Sequence, residues 1–203
     1  MSTVRVIIFA KAPQAGRAKT RLIPALGGEG AARLAQRMLQ VTLATAQAAA
    51  LGPLQLCLSP PPDDPAWAEF DWPSGVELRD QGEGDLGQRM ARAVEEGVQV
   101  GLPVLLIGTD CPQLTSELLR QAAEALSRHD SVMFPASDGG YVLLGLRQSH
   151  PRVFAEIVWS SASVASSTRE RLAELGWSLF EGPVLEDIDC PEDLSKVPAG
   201  WLL

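Results

Sequence analysis

Short apolar runs that are typical of buried strands alternate along the chain with longer segments whose apolar residues recur at helical spacing. Strands are predicted over residues 3–10, 54–58, 76–78, 103–107, 131–134 and 141–146. Helices are predicted over residues 30–50, 85–100, 115–128 and 162–175, with a short helix over 191–196. This alternation favours a mostly parallel sheet covered by helices on both faces, which is a three-layer α/β/α sandwich. Sheets of this class bind ligands in a crevice beyond the carboxyl ends of their strands.

The length and composition are those of a single globular domain, which we expect to span residues 1–203. The net charge of −8 gives no basic surplus to neutralise phosphates, so neither nucleic acid nor an anionic membrane is an expected partner. The apolar run at residues 4–10 is too short for a membrane span and lacks the pattern of a secretory signal. Three widely separated cysteines predict neither a zinc site nor a disulfide framework, and we expect a cytoplasmic protein.

A basic segment directly follows the first predicted strand. Four cations, Lys11, Arg17, Lys19 and Arg21, fall within eleven residues, with Gly16 between them. Glycine permits a tight turn, and the backbone N–H groups of such a turn bind anions together with nearby cations. Gly16 and Lys19 are too far apart for a P-loop, and a dinucleotide fingerprint needs three spaced glycines. The segment therefore predicts phosphate binding without ATPase or NAD chemistry, the alternative being a solvated basic surface loop.

An acidic residue, Asp110, stands directly after the apolar strand predicted over 103–107. Pro112 restricts Cys111 to an extended conformation, which holds the carboxylate of Asp110 outside the following helix. A hard cation such as Mg²⁺ or Mn²⁺ prefers one or two carboxylates together with phosphate oxygens and water. Asp110 is therefore a candidate metal ligand at the edge of the sheet, the alternative being a residue that caps a helix or turns the chain.

Further acidic residues follow in two later segments. Asp187 and Asp189 are two residues apart, so in an extended segment their side chains point the same way. Pro191 then opens a short helix, and the acids after it fit its first turn, which leaves Asp189 as the functional candidate. Asp138 stands in an Asp-Gly-Gly sequence, where the formation of a turn alone is an adequate explanation.

Six short segments in a fixed order resemble one bacterial family. They read FAKAPQAGRAKTRL, QGEGDLGQRM, GTDCPQL, PASDGGYVLLGL, VWSSASV and LEDIDCPEDL, and together they reach from about residue 4 to residue 194. The family was catalogued as a domain of unknown function (DUF2064-type) and is often labelled an arsenosugar-biosynthesis-type glycosyltransferase. The sequence is similar, more distantly, to MobA-like and phospholactate guanylyltransferase-like nucleotidyltransferases. The resemblance implies the GT-A fold of the nucleotide-diphospho-sugar transferase superfamily.

The resemblance also implies roles for residues of this sequence. The nucleotide is expected to contact Ala10, Lys11, Gly16, Arg17, Lys19, Arg21, Gly84, Asp85, Leu86 and Asp110. The acceptor side is expected to be formed by Asp138, Gly139, Gly140, Tyr141 and Trp159. Asp110 and Asp189 are the expected ligands of Mg²⁺ or Mn²⁺, and the expected catalytic residues are Lys19, Asp110 and Asp138.

These features lead to three hypotheses for function. The first is metal-dependent glycosyl transfer from a nucleotide-diphosphate-activated donor to a small-molecule acceptor. In this reaction Lys19 and Arg21 assist at the diphosphate and Asp138 acts as the general base. The second is nucleotidyl transfer, in which an acceptor attacks the α-phosphate of an NTP and pyrophosphate leaves. The third is a non-catalytic nucleotide-binding module, which the joint presence of Lys19, Asp110 and Asp189 disfavours.

Overall fold

The computed structural model describes residues 3–202, in which strands and helices alternate along the chain. The strands are β1 (Arg5–Lys11), β2 (Leu54–Ser59), β3 (Val76–Asp80), β4 (Val104–Ile107), β5 (Ser131–Pro135), β6 (Tyr141–Leu146) and β7 (Leu179–Glu181). The α-helices are α1 (Ile23–Ala49), α2 (Leu86–Gln99), α3 (Ser116–Leu126) and α4 (Val164–Glu174). Short 3-10 helices cover Thr20–Leu22, Pro65–Trp67, Pro151–Phe154 and Pro191–Lys196. Within the described residues, no helix is long and apolar enough to cross a lipid bilayer.

These strands form one seven-stranded sheet in the order β3-β2-β1-β4-β6-β5-β7. β1 pairs in parallel with both β2 and β4, β3 continues the parallel set beyond β2, and β7 is parallel to β5. β6 runs antiparallel to its two neighbours, β4 and β5. The prediction of a mostly parallel sheet flanked by helices is therefore confirmed.

The two faces of the sheet bury separate clusters of apolar side chains. Val6 and Ile8 of β1 belong to the cluster that includes residues of α1 and α3, whereas Ile7 belongs to the cluster that includes residues of α2 and α4. Successive residues of a strand point to opposite faces, so a strand that is covered on both sides needs a continuous apolar run. This requirement explains why β1 and β4 are easily recognised in the sequence as apolar runs.

The order of the strands brings two distant loops together. Ile8 of β1 pairs with Ile107 of β4 in a parallel register, so the carboxyl ends of these strands lie side by side. The basic segment that follows β1 and Asp110, which follows β4, therefore open at the same edge of the sheet. This edge is where sheets of this class bind their ligands.

Helix α1 begins earlier than the prediction of 30–50, because a proline and a glycine are accommodated in its first turns. The helix starts at Ile23 with Pro24 in its first turn, and at Gly27 the backbone departs from helical geometry with a φ of 70°. Proline fits the first turn of a helix, and glycine adopts a positive φ at little cost, so a kinked helix extends ahead of the predicted start. The strand β7 is absent from the prediction because its three residues are too few to show a period.

Candidate functional site

A crevice of about 580 Å³ opens at the edge of the sheet where β1 and β4 end. The loop between β1 and α1, the ends of the central strands, the start of α2 and the turn between β5 and β6 contribute to its lining. The predicted site residues that line it are Ala10, Lys11, Arg17, Lys19, Arg21, Leu86, Asp110, Asp138, Gly140, Tyr141, Trp159 and Asp189. The other predicted residues, Gly16, Gly84, Asp85 and Gly139, are not part of this lining.

Cations at the end of β1 and in the segment that follows it form a positively charged rim on this crevice. Lys11, Arg17 and Arg21 are exposed, and none of them forms an ion pair with another residue in the range 3–202. In a protein with a net charge of −8, unpaired cations that share one rim create a local positive potential. The rim is therefore suited to binding an anion such as a phosphate group.

Lys19, the remaining cation of the loop, is buried and paired. Its Nζ lies 2.7 Å from Oδ1 of Asp110 and 2.7 Å from Oδ1 of Asp189, and it donates to the carbonyl oxygen of Ile188 at 2.6 Å. Burial by itself lowers the pKa of Lys19, but the two carboxylates outweigh it and the pKa is raised above its ordinary value. The ammonium is therefore charged at neutral pH. Its charge is directed at the two carboxylates, whereas the sequence suggested a phosphate as its partner.

The segment that carries Asp189 is anchored to the end of β4. The backbone N–H of Ile188 donates to the carbonyl oxygen of Asp110 at 2.9 Å. The carboxylate of Asp193 then accepts the N–H groups of Asp189 and Cys190 at 3.1 and 2.8 Å, which fixes the start of the last 3-10 helix. These backbone contacts hold the carboxylates of Asp110 and Asp189 together, although 78 residues separate them in the sequence.

Two more carboxylates lie near this pair. Asp187 is half-buried, and burial together with the carboxylates of Asp138 and Asp189 raises the pKa of Asp187 to about 6. Asp138 lines the crevice, and its Oδ1 accepts the N–H of Gly140 at 2.8 Å. Such a bond is typical of an Asx turn, so Asp138 does serve as a turn residue. Because that bond uses Oδ1, Oδ2 is the oxygen of Asp138 that can meet a ligand.

The carboxylate pair of Asp110 and Asp189 suits a hard divalent cation that also binds phosphate. Both side chains point an oxygen at Nζ of Lys19, and they are 48% and 37% exposed. Among residues 3–202, no group of three or more His, Cys, Asp or Glu side chains could hold a metal ion by itself. Mg²⁺ commonly takes one or two carboxylates from the protein and completes its shell with water and substrate phosphates. A two-carboxylate site beside a cationic rim meets this requirement.

In the segment of residues 84–86, which was predicted to contact the nucleotide, Asp85 has a structural role and Leu86 lines the crevice. Oδ1 of Asp85 accepts the N–H of Gln88 at 2.8 Å, and the Gln88 side chain accepts the N–H of Asp85 at 3.0 Å, which is a capping box at the start of α2. Leu86 lines the crevice and is 42% exposed. Trp159 packs on this same turn, since a Cβ added at Gly87 would lie 2.5 Å from its Nε1. Leu86 and Trp159 therefore form an apolar surface in the crevice.

Asp85→Ala is expected to lower the free energy of unfolding by about 1 kcal/mol, because it removes the N-cap of α2. The nucleotide affinity of the folded protein should not change, since the carboxylate faces the helix backbone. Urea unfolding and calorimetric titration measure the two quantities separately. Thr115→Ala, which removes the N-cap of α3 outside the crevice, is the matched control. A loss of affinity in Asp85→Ala that the control does not show would place Asp85 in the nucleotide site.

Gln81 is a crevice residue that the sequence analysis missed. Its buried amide Nε2 donates to the carbonyl oxygens of Ala10 and Cys57 at 3.1 and 2.9 Å, which ties together the ends of β1 and β2. Arg92 donates to the backbone carbonyl of Gln81 at 2.9 Å. The available signal was a polar residue directly after a strand, and it is a weak one because such residues are common in loops.

Residues 42–161 match the family described as "Uncharacterized protein conserved in bacteria (DUF2064)". The chain belongs to this family. The matched span includes Leu86, Asp110, Asp138 and Trp159 of the crevice. The resemblance inferred from the six sequence segments is therefore confirmed.

Solved structures extend the comparison of this DUF2064 protein. It is similar to a provisionally named nucleotide-diphospho-sugar transferase from Desulfovibrio desulfuricans G20, with 31% identity over 94% of this chain and 84% of that chain and a TM-score of 0.86. It shares its fold with 4-diphosphocytidyl-2C-methyl-D-erythritol synthase from Anaerococcus prevotii DSM 20548, at 13% identity over 96% and 94% of the two chains and a TM-score of 0.60. It also shares its fold with the manganese complex of Rv0371c from Mycobacterium tuberculosis H37Rv, at 19% identity over 96% and 97% and a TM-score of 0.53. No curated protein matches the chain significantly.

Proposed function

We propose that this DUF2064 protein is a metal-dependent transferase for a nucleotide-diphosphate-activated donor, and that it transfers a glycosyl group to a small-molecule acceptor. The observation that carries the proposal is that unpaired cations and a carboxylate pair line the same crevice. Lys11 ends β1, and Arg17 and Arg21 come from the segment between β1 and α1, whereas Asp110 and Asp189 stand beside the end of β4. The similarity to a nucleotide-diphospho-sugar transferase at 31% identity supports this class of reaction.

The crevice offers charged side chains to the phosphates of the donor and an apolar surface to its nucleoside. The guanidinium groups of Arg17 and Arg21 can each donate paired hydrogen bonds to phosphate oxygens, and Lys11 adds a point charge. Leu86 offers an apolar surface to the nucleoside. Asp110 and Asp189 would hold Mg²⁺ or Mn²⁺, which supplies further positive charge against the diphosphate. Arg21 then stabilises the charge that develops on the diphosphate as it leaves.

Asp138 accepts the proton that the acceptor loses. The acceptor oxygen attacks the anomeric carbon of the donor sugar, and the bond between that carbon and the diphosphate breaks. The nucleoside diphosphate leaves with the bonding electrons, and the acceptor proton moves to Oδ2 of Asp138, because Oδ1 accepts the N–H of Gly140. Tyr141 and Trp159 line the crevice beside Asp138 and orient the acceptor. Burial raises the pKa of Tyr141, whose hydroxyl is buried near Thr168, so it is the ring of Tyr141 that can meet the acceptor.

Nucleotidyl transfer is the second candidate, and the charge of the rim favours it. Lys11, Arg17 and Arg21 are all unpaired within residues 3–202, and an NTP carries more negative charge than an NDP-sugar. In this reaction the acceptor attacks the α-phosphorus. The bond between the α-phosphorus and the oxygen that joins it to the β-phosphate breaks, and pyrophosphate leaves. The acceptor proton again passes to Asp138.

Product analysis distinguishes these reactions. A thermal-shift screen in the presence of Mn²⁺ first identifies the NDP-sugars and NTPs that stabilise the folded protein. The stabilising compounds are then incubated with the protein and pooled small-molecule acceptors. Release of a nucleoside diphosphate from an NDP-sugar supports glycosyl transfer, whereas release of pyrophosphate from an NTP supports nucleotidyl transfer. Binding without either product supports a non-catalytic nucleotide-binding module.

A further inference from the structure

The ammonium of Lys19 lies between the two carboxylates that are suited to a metal. Its Nζ is 2.7 Å from an oxygen of Asp110, 2.7 Å from an oxygen of Asp189 and 2.6 Å from the carbonyl oxygen of Ile188. An ammonium has three N–H donors, and these three acceptors are enough to use all of them. Only 8% of the Lys19 side chain is exposed, in contrast to the exposed cations of the same loop. Lys19 thus has a different environment from its neighbours on the rim.

The backbone of Lys19 is shaped for this contact. The residue has a φ of 47° and a ψ of 47°, the left-handed region that residues with a Cβ rarely adopt. Its carbonyl accepts the N–H of Leu22 at 2.8 Å, so it begins the 3-10 helix over Thr20–Leu22. Uncommon backbone conformations persist where the surrounding contacts over-determine them, and they cluster at functional sites. The fold therefore directs this one cation of the loop toward the carboxylates.

A divalent cation held by Asp110 and Asp189 would compete with Lys19 for the same carboxylates. Both carboxylates point an oxygen at Nζ, and the lysine side chain between them is buried. A metal ion and an ammonium that share these carboxylates would lie close together. In a partly buried site such like charges repel each other far more strongly than in water. Binding of a metal between the carboxylates therefore requires the ammonium to move away, and it needs a new anionic partner when it does.

We propose that Lys19 couples metal binding to nucleotide binding. Its ammonium occupies the cation position between Asp110 and Asp189 until the phosphates of a nucleotide draw it away, and the carboxylates then accept the metal. The inference rests on the proposed function in taking a phosphate-bearing nucleotide as the ligand. By linkage, nucleotide then raises the affinity for metal by the same factor by which metal raises the affinity for nucleotide. A lysine that only bound phosphate would have no effect on the binding of metal alone.

Titration with Mn²⁺ in the absence of nucleotide tests the proposal. Lys19→Met keeps the length of the side chain and removes its charge, so it should tighten the binding of Mn²⁺ alone, on the order of tenfold or more. Arg33→Met removes an exposed cation of α1 that is not part of the crevice lining and contacts neither carboxylate, and it should leave the affinity for Mn²⁺ alone unchanged. In the wild-type protein, UDP or GDP should tighten Mn²⁺ binding, and this coupling should be smaller in Lys19→Met, where only the direct contacts between the metal and the phosphates remain.

Equal or weaker binding of Mn²⁺ alone by Lys19→Met would overturn the proposal. Wild-type protein that binds Mn²⁺ equally well with and without a bound nucleoside diphosphate would overturn it too, and that measurement decides the matter if Lys19→Met does not fold. Lys19→Arg keeps the charge, so it should bind Mn²⁺ alone as weakly as the wild type. All of these readouts are binding affinities. Failure to detect a transfer product would therefore count against the proposed function and not against the role of Lys19.

Discussion

Asp110→Asn is expected to keep the fold and to lower turnover by about 10²–10³-fold or more. The carboxylate is about half exposed, and Lys19 keeps Asp189 and the carbonyl of Ile188 as partners, so the cost in stability should be small. The amide of asparagine has nearly the same shape but no negative charge with which to hold a hard cation. Melting temperature and turnover, measured on the same sample with the donor identified by the thermal-shift screen, give both quantities.

Glu186→Gln is the matched control for this substitution. Glu186 belongs to the same C-terminal segment as Asp189, pairs with Lys196 at 3.2 Å and is not part of the crevice lining. It should keep normal turnover. If Asp110→Asn instead melts early but keeps normal turnover per folded molecule, Asp110 is a structural residue at the end of β4. The case for metal-assisted transfer at this crevice would then be lost.

Gly139→Ala is expected to reduce the free energy of unfolding by roughly 3 kcal/mol, which is a fall in melting temperature of roughly 6–12 °C for a domain of this size. Gly139 has a φ of 93°, and a Cβ added to it would lie 2.1 Å from the carbonyl oxygen of Ala162. The carbonyl of Gly139 also accepts the N–H of Ala165 at 2.9 Å, so the turn before β6 and the start of α4 cannot separate without losing this bond. Thermal unfolding of the purified variant measures the loss.

Gly101→Ala is the control that separates the steric clash of the added Cβ from the strain of a positive φ. Gly101 has a φ of 80°, similar to that of Gly139, but nothing lies within 4 Å of a Cβ added there. Its substitution should therefore cost only the strain of the left-handed backbone, about 1–2 kcal/mol. If the two variants melt at the same temperature, the turn of Asp138 is not packed against the start of α4. The positioning of Asp138 that we describe would then be wrong.

The elements that the sequence predicts well are those whose local pattern agrees with their environment. β1 and β4 are buried on both faces, and each is a run of apolar residues that no helix period explains. The capping box of α2 is also a local signal, since Asp85 and Gln88 stand at the required spacing. β7 has no such local pattern, because its three residues are at most half-buried. They form a strand because they pair with β5 in the folded sheet.

The site is predictable in outline, because topology places the loops after β1 and β4 side by side whatever the details of their side chains. The carboxylate partners of Lys19, in contrast, cannot be predicted from the sequence. Asp189 lies 170 residues away from it, and no local pattern distinguishes a lysine that is exposed on a rim from one that is enclosed by carboxylates. Gln81 has the same difficulty, since its role depends on the carbonyl oxygens of two other strands.

The late position of Asp189 in the chain has a consequence for synthesis on the ribosome. Domains begin to fold from the N-terminal side as they are made, and here all seven strands, the basic segment and Asp110 precede Asp189. A nascent chain can therefore assemble most of its sheet while Lys19 faces Asp110 alone. The docking of Ile188 on the carbonyl of Asp110 then completes the carboxylate pair. We expect the metal affinity that we propose for this carboxylate pair to arise only at this last step, after the core has formed.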